Sequence, residues 1–261
     1  MILQINQVTA NGANNFEIFE NGALLYKGFA PFYKPTVPVG GDTFRRLTLT
    51  DVNDSEILYT HYDTAENLAA SVVPPSLTFG DSRQVRIYRI VDNNGHAVGA
   101  FFYEQSGAAD RKLVAQYGGK TLACYLKEAG KKEIVSVYSG ETQVGQITKP
   151  NCVFDHLDQY LAHFTDDFSD AKIVSLFVIY YDYLFHNHSG EIAKGWYANK
   201  EYTFDKNSKK YNKKFIAEHF GMEEDARVEQ FIRDTYAARK RKQSISRVCQ
   251  IVIDKELLCC K

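Results

Sequence analysis

From residue 1 to about 150, short apolar runs alternate with turn residues at nearly regular spacing, the pattern of an antiparallel sandwich or barrel. The first set of candidate strands is Ile2–Val8, Asn15–Glu20, Leu24–Phe29, Thr43–Asp51, Glu56–His61 and Leu68–Val72. A second set follows at Gln84–Val91, Ala97–Glu104, Lys112–Tyr117, Thr121–Leu126, Lys132–Tyr138 and Gln143–Lys149. Between them, Asn21-Gly22, Asn93-Asn94-Gly95, Gly118-Gly119 and Ser139-Gly140 supply residues that tolerate positive φ, as tight hairpins demand. Pro31, Pro35 and Pro38 mark a loop, and Pro74-Pro75 separates the two sets.

The period then changes. Ser169–Asn187 is apolar around the whole helical wheel, so a helix there must be enclosed. Ser169 or Asp170 can cap it, and Asp166 and Asp167 complement the dipole. Such a helix spans roughly 28 Å, short of a bilayer core. Asp182 near its middle costs about 2.5–3.5 kcal/mol on insertion, against about 0.3–0.6 gained per aliphatic side chain. The interior of a β-structure is the better host, and the chain reads as not integral to a membrane. Asp182 must find a partner there or be protonated. A backbone donor or one of Arg45, Arg46, Arg86 and Arg89 is the candidate.

Beyond residue 190 the pattern turns polar. Gly195-Trp196-Tyr197 and Tyr202-Thr203-Phe204 suggest a hairpin or flap. A lysine-rich run, Lys206 to Lys214, leads into a stripe of Tyr211, Phe215 and His219 ended by Gly221. A second helix from Glu223 to about Lys242 places Val228, Phe231, Ile232 and Thr235 on one face, and Val248–Ile253 resembles a last strand. The clusters Lys209, Lys210, Lys213, Lys214 and Arg239, Lys240, Arg241, Lys242 have two readings. They are solvated faces with dipole complementation, or an anion-binding surface for acidic lipid headgroups or nucleic acid. Only Tyr211 interleaves the lysines, so a single-strand stacking platform is the weaker version.

Composition changes little: 44% hydrophobic, 24% charged and a net charge of −1, which removes any global pull toward nucleic acid or membrane. Seventeen Tyr and seventeen Phe favour β-structure. Five cysteines without CxxC spacing suggest free thiols in a reducing compartment. With no signal-peptide pattern at Met1–Ile5 and no prenylation box at the end, the expected location is cytoplasmic.

A dozen short strands followed by one wholly apolar helix is similar to the tubby-like superfamily: tubby C-terminal domains, phospholipid scramblases and LURP-one-related proteins. The likeness is carried by RRLTLTDVNDSEILY at Arg45–Tyr59, VRIYRIVDNNGHAVGAFF at Val85–Phe102 and VSVYSGETQVGQITK at Val135–Lys149. It extends to Tyr160–Asn187, which looks like the last strand, an acidic turn and the core helix. The resemblance implies a mainly β fold, a closed antiparallel twelve-stranded barrel around a central apolar helix. On this division residues 1–190 form the barrel with its helix at 169–187, and 191–261 form a small, mostly helical extension. It also implies a non-enzymatic binding or regulatory module, with an anionic lipid headgroup, a small ligand or a protein as partner. The alternative is a protein- or nucleic-acid-interaction protein acting through the basic C-terminal helices. The positions through which tubby domains hold phosphoinositides find no match here. Asp166, Asp167, Ser169 and Asp170 stand where scramblases carry a proposed calcium segment, but lack an EF-type register, so capping is the expected role.

No nucleophile elbow, P-loop, HExxH or dinucleotide fingerprint occurs. His156, His163, His186 and His188 could converge on a metal only if the fold brought them together. No catalytic residue, metal or cofactor is therefore assigned from the sequence.

Overall fold

In the computed structural model, which describes residues 1–9, 13–31, 45–72, 83–106, 110–152, 157–186 and 210–238, hairpin follows hairpin until the sheet closes on itself. The strands are β1 (Ile2–Thr9), β2 (Ala13–Glu20), β3 (Ala23–Pro31), β4 (Thr48–Thr50), β5 (Glu56–His61) and β6 (Arg83–Asp92). They continue as β7 (Ala97–Ser106), β8 (Asp110–Tyr117), β9 (Lys120–Ala129), β10 (Lys132–Ser139), β11 (Thr142–Pro150) and β12 (Gln159–Phe164). Each strand pairs antiparallel with its sequence neighbours, and β1 meets β12 in the register Ile2↔His163 to Asn6↔Gln159, closing a twelve-stranded barrel. Among the described residues, closure leaves no edge strand to pair with another chain.

Tight turns make this meander. Asn21 and Gly22 both have positive φ between β2 and β3, as do Gly118 and Gly119 between β8 and β9. That backbone twist matches the twist of the flanking strands. Alternation then assigns the faces. Leu3 and Ile5, Phe16 and Ile18, Val135 and Val137, and Tyr160, Ala162 and Phe164 all join one core cluster.

The first six-strand set contains a correction. Leu68–Val72 is not a strand but the end of helix α1 (Thr64–Val72). The Asp63 carboxylate accepts from the Glu66 N–H at 2.9 Å and starts the helix. Leu68 is 64% exposed, and the residue turned inward is Asn67. A short apolar run cannot by itself tell period 2 from period 3.6. The twelfth strand is β12, and the expected Thr43–Asp51 strand is cut down to β4 within the described residues.

Helix α2 (Ala171–Phe185) begins at Asp170, whose carboxylate accepts from the N–H groups of Lys172 and Ile173 at 3.1 and 3.3 Å. Every residue from Ile173 to Tyr183 is buried. The helix reaches residues of several strands. Phe177 meets Phe101 of β7 at 5.6 Å between ring centroids, Tyr180 meets Tyr88 of β6 at 5.2 Å, and Tyr181 meets Tyr160 of β12 at 6.1 Å. On β3, a Cβ at Gly28 would collide with the Ile179 side chain, so glycine there is a matter of close approach.

At β6 the ladder is interrupted between Val85 and Tyr88, and Arg86 adopts φ +55°. Two side chains satisfy the freed main chain. The Tyr180 hydroxyl donates to the Arg86 carbonyl at 3.1 Å. The Asn67 amide takes the Ile87 N–H at 2.7 Å and donates to the Ile87 carbonyl at 3.0 Å. A bulge that would leave buried polar groups orphaned is thereby closed by one residue from each helix.

Helix α3 (Phe215–Phe220) and a further helix α4 (residues 222–238) lie against the outside of β10–β12. Phe215, Ile216 and Val228 pack on Leu161, which points away from the barrel interior. This cover explains why β11 is buried on both faces from Val144 to Pro150. Of the expected stripe, Phe215 is buried but His219 is exposed, and Ile216 takes the inner place. The expected hairpin at 195–204 and the strand Val248–Ile253 lie outside the described residues. Among the described residues, no helix is long and apolar enough to cross a membrane.

Candidate functional site

The basic residues singled out from the sequence are not one continuous patch. Lys209, Arg239, Lys240, Arg241 and Lys242 lie outside the described residues. Lys210 is engaged: its ammonium is 2.5 Å from Glu141 and stands over the Tyr138 ring at 5.1 Å. Lys213 and Lys214, by contrast, are exposed just before α3 and form no ion pair among the described residues.

The fold adds two lysines that no sequence pattern had linked to them. Lys127 of β9 stands over the Tyr211 ring at 5.2 Å, and Lys131 in the β9–β10 turn stands over Tyr236 at 5.2 Å. Lys127 thus stands against the approach to α3 and Lys131 against α4, each with its ammonium over an aromatic ring. Lys131 is exposed and Lys127 half-buried, and a cation–π contact near the surface contributes only about 0.5–1 kcal/mol. Lys132 does not join them, because it is ion-paired with Glu229 of α4. Strands and helices far apart in sequence created these two contacts. The only hint in the sequence was Lys-Lys at 131–132 in a hairpin turn.

A second cluster sits where α2 ends against the barrel wall. Asp182 is fully buried, accepts from the Tyr160 hydroxyl at 2.6 Å and is approached by the Asn14 amide at 3.4 Å. Its partner is thus none of the four candidate arginines. Arg45 lies over Tyr62, Arg46 pairs with Glu56, Arg89 pairs with Glu66, and Arg86 faces Tyr103. Tyr160 is the inward residue of β12 nearest the helix end, and a phenol can satisfy a buried carboxyl without importing another charge.

Close by, Lys149 and Asp158 form a buried ion pair of 2.7 Å, and the Gln7 side chain accepts from the Asp158 N–H at 2.8 Å. Burial first, and then the Asp158 charge, push the Asp182 carboxyl up to about 7, although His186, Tyr160 and Lys149 oppose this. Burial also works against the Lys149 charge, but Asp158 more than offsets it and holds the ammonium above its ordinary range. His186 closes the group, 3.0 Å from Glu133 and 3.2 Å from the Tyr181 hydroxyl. Every member already has a protein partner, which describes a structural network and leaves no group poised toward solvent.

The remaining candidate chemistry is dispersed. His163 is on the outer face of β12 and His186 at the end of α2, while His156 and His188 lie outside the described residues. Among the described residues no set of three or more metal-ligating side chains converges. Asp170 caps α2, and Asp166 and Asp167 are exposed turn residues. Burial pushes the Cys124 thiol up, away from the reactive thiolate. The described residues line surface grooves, of which two are notable. One of 320 Å³ between β5, β6 and α1 includes Tyr59, His61, Asp63 and Arg89; another of 420 Å³ lies beside α4 at Gln159, Arg227 and Phe231. In the first, Asp63 caps α1 and Arg89 is tied to Glu66.

These features stand without a known counterpart to interpret them: no family model, no curated protein and no solved structure matches the chain.

Proposed function

We propose that the chain is a non-enzymatic binding module of the tubby-like kind. In this reading α2 is the central helix of the closed barrel. The ligand is met on the outside of the wall, as an anionic surface of the lipid-headgroup class. The observation that carries it is the exposed pair Lys213 and Lys214 just past Tyr211, whose ring Lys127 stands over, with Lys131 over Tyr236 of α4. The aromatic packing of α2 against β6, β7 and β12 supports a barrel used as a scaffold rather than as a container.

The chemistry is that of several ammonium groups held close to one surface. Each basic residue near an anionic leaflet contributes about 1 kcal/mol, so four give useful but salt-sensitive attachment. Co-sedimentation with phosphatidylserine vesicles, against phosphatidylcholine vesicles, tests this directly. Binding should need the anionic lipid, weaken as salt rises and fall by roughly tenfold or more in Lys213→Glu/Lys214→Glu. No binding, binding indifferent to salt, or binding to nucleic acid but not to vesicles would each overturn the reading.

A further inference from the structure

The outer face of β10–β12 beneath α3 and α4 is unusual for a covered surface, because one of its rows is polar. Ser136, Gln146 and His163 are register neighbours across the three strands, and all are buried. The row beside it, Ile134, Thr148 and Leu161, is mixed. Apolar contacts from Phe215, Ile216 and Val228 hold the cover at Leu161. At the polar row it is held by one hydrogen-bonded contact. His163 Nε2 is 2.6 Å from Glu224, whose carboxylate also accepts from Arg227 at 2.6 and 2.7 Å. The Phe220 ring stands edge-on to the imidazole at 5.2 Å.

We propose that α3 and α4 form an acid-released cover over β10–β12, with the His163–Glu224–Arg227 contact as its proton-sensitive clasp.

The geometry gives the sign. As a neutral ring, His163 donates from Nε2 to the carboxylate, and Nδ1 is an acceptor. Among the described residues no group hydrogen-bonds Nδ1. A second proton would sit on Nδ1, creating a buried cationic donor with nothing to receive it. Among the described residues Glu224 is the acid that acts on the ring, and its charge is already shared with Arg227. The other charges felt there, Arg227 and the Met1 amino group, are cations and oppose protonation. Burial, the largest influence, acts the same way, so the docked imidazole is held below the ordinary histidine range despite Glu224. Once α3 and α4 lift off, the ring meets water and takes up its proton normally. The open state therefore binds more protons, and acid favours opening.

Hydrogen exchange of α4 amides in the full chain, corrected for the intrinsic pH dependence of exchange, reads this equilibrium. The opening constant of α4 should grow as pH falls below about 6.5, by at most tenfold per pH unit for one proton. Amides of β6 and β7, on the far side of the barrel from β12, should not follow that slope. His163→Gln keeps an amide donor toward Glu224 but cannot titrate, and should flatten the dependence. Imidazole NMR of the unmodified protein gives a second measurement that needs no variant. It should show His163 neutral, with the proton on Nε2, at neutral pH. An opening constant independent of pH, a slope that survives in His163→Gln, or a ring already doubly protonated at neutral pH with α4 docked would each overturn the proposal.

Discussion

Replacing Asp182 by Asn isolates the free energy of one buried carboxyl. In the folded chain this group loses its proton only at about 7, against 3.8 for the ordinary carboxyl. An acid whose folded pKa is raised stabilises the native state most below the unfolded value, and that stability is lost as pH climbs through the folded value. The window is therefore 3.8 to about 7, roughly three pH units. At about 1.4 kcal/mol per unit, the loss is on the order of 4 kcal/mol across the whole window. Asn is nearly isosteric and never ionises. Its carbonyl oxygen can still accept from the Tyr160 hydroxyl, and the Asn14 amide can turn to present its own oxygen to the new NH₂. Urea denaturation of both proteins, run in steps from about pH 5 to about pH 8, cancels in the difference the titrating groups that do not interact with Asp182. Asp182→Asn should gain about 2–3 kcal/mol relative to the parent over that range and then level off. A stability difference that does not vary with pH would show that Asp182 is ionised throughout, and the account of burial and Asp158 repulsion would be wrong.

Other perturbations address the parts of the fold that seat the helices. Asn67→Ala strips the buried Ile87 N–H and carbonyl of their partner and should cost roughly 2–4 kcal/mol in urea denaturation. An unchanged midpoint would mean that the main chain re-pairs. Gly28→Ala places a methyl group against Ile179 and should destabilise by about 1–3 kcal/mol, with the loss relieved by Ile179→Val if the clash is the cause. Asp158→Asn leaves the Lys149 ammonium buried without its closest counter-charge, at a cost of about 3–5 kcal/mol. The same change removes the repulsion on Asp182, so the pH at which stability falls should move downward.

The meander of β-strands was legible because its information is local. Positive-φ turns at Asn21-Gly22 and Gly118-Gly119 need only neighbouring residues, and the apolar run of β10 follows from the strand itself, whereas β12 was expected only from the resemblance. Helix α2 was equally plain, since an apolar wheel capped by Asp170 has few alternatives. Leu68–Val72 failed for the same reason that others succeeded. Its apolar character carries no period, and Asp63 decided the matter from outside the run.

What the sequence determined by itself was therefore the kind and order of most elements, though not of α1, together with the apolar character of α2 and the need of Asp182 for a partner. The tertiary structure alone decided which partner that is, because Tyr160 and Asn14 reach Asp182 only after β12 and β2 come round to the end of the helix. It alone closed β1 onto β12, folded α3 and α4 over a polar row and brought Lys127 beside Tyr211. Contacts of this kind join positions far apart along the chain. They depend on register and closure, which no local window of residues contains.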